Sequence, residues 1–158
     1  MSQYREPKKP ATESTRLFDL LAYAGIGPFV LGIWLEATGE NLGGIDGGFL
    51  FAAYSACILS FLCGIWWAAA LNRADHPHRL ALTLLSNLVC LIAWLGLLVY
   101  RTPWGLVILA SGFAYMRWAE ARLNPNGCQL PGYFKTRSRV TYVVIACHLS
   151  MLALEVWQ

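Results

Sequence analysis

Phe49 to Leu71 reads FLFAAYSACILSFLCGIWWAAAL, a run without a single charged side chain. At 1.5 Å per residue, a helix of this length spans about 35 Å, enough for a hydrocarbon core of about 30 Å. A membrane strand would need only about ten residues and would alternate in polarity, and this run does not alternate. With no water in the bilayer core, the backbone must satisfy its own N–H and C=O groups, and a single segment does that only as a helix. The stretch therefore reads as a transmembrane helix.

Working outward, four more stretches have similar length and character: about 17–36, 80–100, 103–121 and 140–157. The AVILMFWYC residues make up 57% of the chain and the charged residues 13%, where a soluble domain carries about 25% charged residues. A water-soluble protein of 158 residues has too much surface to hide so much apolar area. The predicted fold is all-α: a polytopic membrane protein with a five-transmembrane-helix bundle over 17–158, preceded by a flexible cytoplasmic tail, 1–16. That tail contains Pro7 and Pro10 and lacks the apolar core of a signal peptide. The Gly-rich residues 37–48 read as a flexible loop, and so do residues 122–139, with Pro125, Gly127, Pro131 and Gly132. Only Arg101 and Thr102 separate the third and fourth segments, so these must be antiparallel neighbours, with Pro103 opening the next helix.

The basic residues orient the bundle. With the N-terminus inside, the inner face carries Arg5, Lys8, Lys9, Arg16, Arg73, Arg79, Arg117, Arg122, Lys135, Arg137 and Arg139, which is eleven of the twelve Lys and Arg, and Arg101 alone lies outside. Such a bias over short loops sets topology, and it puts the C-terminus on the far side. Aromatic residues fall at both interfaces: Trp34, Tyr100, Trp104 and Trp157 at the outer ends, Trp66, Trp67, Trp118 and Tyr133 at the inner ends. A net charge of +3 gives no reason to expect nucleic acid. The five cysteines, Cys57, Cys63, Cys90, Cys128 and Cys147, are scattered without CxxC spacing and read as buried thiols. No cofactor or metal motif is present; His76 and His78 beside Asp75 are too few ligands for a positioned site.

A few polar residues lie where function would need them. Ser60, Asn87 and His148 fall within the hydrocarbon, and an ionisable group there is a functional hypothesis by default. The plain alternative is a neutral imidazole bonded to a carbonyl or to Asn87 or Ser60. Asp19, Arg117 and Glu120 form a candidate cluster near the inner interface, with Arg117 and Glu120 three residues apart on one helix face; the alternative is snorkelling Arg with surface pairs. Pro28 should kink the first helix and free the carbonyl of Ala24. Ala53, Cys57, Ser60, Gly64 and Ala68 make a small-residue face on the second helix, suited to internal packing or to self-association.

Several of these pieces resemble a known family. Tyr54-Ser55-Ala56 through Ile58 to Trp67, Gly27-Pro28-Phe29, Ala93-Trp94, Gly112-Phe113 with Glu120, and Leu130-Pro131 with Tyr133 are similar to the transmembrane protein 69-like family, an uncharacterised bacterial and mitochondrial membrane family classed as domain of unknown function 3429. Asn87 and Cys63 depart from its pattern, which has Pro and Gly there. The resemblance implies a multi-pass protein of the bacterial inner membrane and supplies no activity. With no catalytic motif in view, the expected role is a structural, assembly or accessory one, in which the protein packs against other membrane proteins within the lipid bilayer. The alternative is a small oligomeric transporter or channel element with a polar path past Ser60, Asn87 and His148.

Overall fold

The computed structural model describes residues 11–123 and 131–157. They form α1 (Ala11–Ala24), α2 (Gly27–Thr38), α3 (Gly47–Asn72), α4 (Arg79–Leu98), α5 (Pro103–Leu123) and α6 (Pro131–Trp157). The first predicted helix is thus two, broken at Gly25–Ile26. Pro28 has no N–H to return to Ala24, and the chain crosses the break with shorter-range bonds from Ile26 N–H to Tyr23 O and from Phe29 N–H to Ile26 O. One carbonyl left free by the break, that of Gly25, accepts the Tyr54 hydroxyl from α3 at 3.1 Å. The kink expected at Pro28 is therefore pinned from the neighbouring helix.

Helix ends differ from expectation for local reasons. α1 starts at Ala11, inside the stretch read as a tail. α3 starts at Gly47 because the Asp46 carboxylate accepts the Phe49 N–H and caps the first turn. Of residues 37–48, expected to be a flexible loop, 37–38 end α2, 47–48 open α3, and the rest holds a tight turn: Leu42 and Ile45 exchange both backbone hydrogen bonds across Gly43 (φ 60°) and Gly44 (φ 86°), where glycine readily takes a positive φ. α6 starts at Pro131 rather than Val140, so 131–139, read as loop, is helical; proline at a first turn gives up an N–H that has no helical partner anyway.

α3 is the hub. It packs against α2, α4 and α5, while α6 lies against α1, α2 and α5. Gly47 lets α2 and α3 nearly touch, since a Cβ there would overlap the backbone of Glu36 and Gly32. Trp66, Phe29, Phe51, Phe113, Leu59 and Leu109 fill the centre. Large apolar side chains also cover the outside: Leu20, Phe61, Leu80, Leu91, Trp104 and Leu149 are all at least half exposed, a surface suited to lipid rather than water.

Among the described residues, four helical stretches are long and apolar enough to cross a membrane: 16–38 (the end of α1 through α2), α3, α4 and 135–157 of α6. α5 is of spanning length, 21 residues, but Arg117, Glu120 and Arg122 lower its hydropathy.

Candidate functional site

Three places on this scaffold gather the residues that the sequence singles out. The first surrounds His148 in the core, 1% exposed. Its ring lies among those of Phe51, Phe113 and Phe29, with centroids 4.8, 5.4 and 5.8 Å away. Its Nδ1 lies 2.8 Å from the Val144 carbonyl oxygen. That oxygen can only accept, so Nδ1 carries the hydrogen and, in a neutral ring, Nε2 is an acceptor. Nε2 faces the Ser55 hydroxyl at 3.1 Å. Ser55, fully buried, also sits 2.8 Å from the Phe51 carbonyl one turn back, so its single proton faces two acceptors. The result is a polar tie between α3 and α6 inside an aromatic shell.

Ser60 and Asn87 do not join it, which corrects the cluster expected of the three. Ser60 is exposed, donates to Ala56 O at 2.8 Å and lies 3.6 Å from the Cys90 sulfur. Asn87 is exposed and donates to Thr83 O on its own helix. The two side chains point outward from their helices. Ser55 was missed, although it shares a helix face with Phe51, Leu59 and Trp66, all with 0% exposure.

The second place is the end of α5. Glu120, 7% exposed, accepts the Trp66 indole N–H at 3.3 Å and pairs with the Arg137 guanidinium at 2.5 Å. Sequence placed Trp66 in an interfacial belt; at 0% exposure it is core instead, and its neighbour Trp67 is the exposed one, because consecutive residues sit 100° apart on a helix. Sequence also placed Arg137 in a loop, so its role was invisible until α6 proved to begin earlier. Arg117 lies close enough to act electrostatically on Glu120, but Arg137 takes the carboxylate. Asp19, half-buried on α1, takes no part in the pairing. Tyr133, named for the inner belt, has a side chain outside the described residues, as does Cys128.

The third place is the outward face of α3. Cys57, Ser60, Gly64 and Ala68 are exposed, and Ala53 is half-buried. A Cβ added at Gly64 meets nothing within 4 Å. Packing among the described residues therefore does not use most of this face, and Cys57 is an exposed thiol there rather than a buried one. At the opposite end of the bundle from Glu120, a cavity of about 300 Å³ is lined by Glu36, Asp46, Tyr100, Arg101 and Glu155, among others. There the Tyr100 hydroxyl accepts from Arg101 Nε at 3.0 Å, and this bond raises the guanidinium's pKa above its usual value. His76 and His78 stand 6.0 Å apart between ring centroids, and His76 Nδ1 accepts the backbone N–H of His78.

A family model, Protein of unknown function (DUF3429), matches residues 14–153, and so takes in all three places. The chain belongs to DUF3429. Neither the curated proteins nor the solved structures offer a match to this DUF3429 chain.

Proposed function

We propose that this DUF3429 protein crosses a bacterial inner membrane five times, with its N-terminus in the cytoplasm and its C-terminus outside, and serves there as an accessory or assembly subunit with no catalysis of its own. Lipid surrounds it, and its partner is another membrane protein that presents an apolar helix. The observation that carries this reading is the uncovered small-residue face of α3, above all the open space over Gly64. In lipid, helices associate where small residues let backbones approach closely and dispersion contacts accumulate. The polar groups of the core point the same way. His148 and Glu120 are engaged by Ser55, Trp66 and Arg137 in ties between helices, and the three residues of the transporter alternative do not line one path. The orientation rests on the distribution of Lys and Arg, and the crossing by α5 on its length and its packing among helices α3, α4 and α6.

Gly64→Leu tests it. Purified in mild detergent from its native membrane, the wild-type chain is expected to migrate with a larger complex, and the variant alone, with the helical content of both unchanged. A wild-type chain that migrates as a monomer, or a variant that keeps the complex, contradicts the reading.

A further inference from the structure

We infer that the ends of α5 and α6 nearest Glu120 form a binding site for the phosphodiester headgroup of an anionic phospholipid. Three observations meet there. The first is charge. Between Arg117 and Arg139, the described residues carry five cations (Arg117, Arg122, Lys135, Arg137 and Arg139) against one carboxylate, Glu120. Glu120 is already committed to Arg137 and Trp66, so the half-buried Arg117 has no anion of its own among the described residues.

The second is unmet hydrogen bonding. Arg117 Nε and Arg137 Nη1 are buried and have no acceptor among the described residues. Buried donors in native proteins are paired as a rule, so an unpaired one calls for an explanation, and a bound anion supplies it here. An oxyanion with several acceptor oxygens suits a planar guanidinium.

The third is level. Trp118, 55% exposed, carries the Arg122 guanidinium 5.5 Å above its ring. Exposed Trp is enriched at the headgroup level of a bilayer, where its ring is half wet and half apolar. Arg122, Lys135 and Arg139 are exposed at the same end. Basic clefts between membrane helices are where anionic headgroups lodge, each basic residue near the surface contributing about a fivefold gain in affinity. The site needs a membrane but neither the proposed partner nor the proposed orientation, so it stands or falls separately from both.

The test uses the full chain, purified and offered phosphatidylglycerol and phosphatidylcholine in equal amounts, with retained lipid counted by native mass spectrometry. The wild type is expected to retain phosphatidylglycerol preferentially. Arg117→Gln should cut that preference about fivefold, Arg117→Lys should cut it less, and Arg101→Gln, at the other end of the bundle, should leave it unchanged. Should Arg117→Gln fail to fold, the double variant Arg122→Gln/Lys135→Gln changes only exposed groups and should cut the preference further, about 25-fold for two basic residues. Equal retention of the two lipids by the wild type overturns the inference. So does an equal loss from Arg101→Gln, and so does binding of inorganic phosphate without any preference between the lipids.

Discussion

α3 and α5 pack side by side and bury a comparable face, yet only α3 looks like a membrane helix from composition. Within its 26 residues no charge occurs, and it is apolar on every side. α5, at 21 residues, ends in Arg117, Glu120 and Arg122 and falls short of the same hydropathy. The difference lies in where each helix finds partners for its polar groups. The hydroxyls of α3 find carbonyls and His148 close by. α5 carries a full carboxylate, which the fold satisfies with Trp66 from α3 and Arg137 from α6. A charge that would bar a lone helix from lipid is tolerated once other helices surround it.

That contrast can be broken most forcefully at Glu120. Glu120→Ala leaves the buried Arg137 guanidinium without its counter-charge, and removing one partner of a buried pair costs about 3–5 kcal/mol. Reversible unfolding in mixed micelles should show a loss of that size, and a loss below about 1 kcal/mol would mean that the pair is a surface contact. Trp66→Phe keeps the ring's apolar bulk and removes its N–H, so one acceptor position of Glu120 goes unmet; the expected cost is about 1–3 kcal/mol, and no measurable change would remove Trp66 from the α3–α5 connection. Smallest is Ser55→Ala, which cuts the tie to His148. Hydrogen bonds between membrane helices average about 0.6 kcal/mol and reach about 1.7. A larger loss would mean that the serine and histidine hold α3 to α6 more firmly than a lone hydrogen bond does.

The helical class and the lipid-facing surface were legible in the sequence because they depend on length and mean apolarity, which survive without knowing any neighbour. The kink at Pro28 was legible too, since proline lacks an N–H in any context. Direction around a helix could not be read. Which faces of the helices that carry Ser60, Asn87 and His148 turn inward depends on neighbouring helices that a linear reading cannot place. Trp66 and Trp67 illustrate the same limit, with one in the core and the other on the surface. Arg137 was lost for another reason: the prolines and glycines of 122–139 argued for loop, whereas Pro131 in fact opens a helix and carries Arg137 to Glu120.

The number of crossings is where the contrast between α3 and α5 becomes decisive, because an odd count separates the chain ends and an even count does not. Reporters active on only one side of the membrane, fused to each end of the full chain, read this directly. A cytoplasmic signal from the N-terminus together with an external signal from the C-terminus is the expected result. Both ends reporting from the same side would mean that α5 does not cross, and the five-helix account would be contradicted.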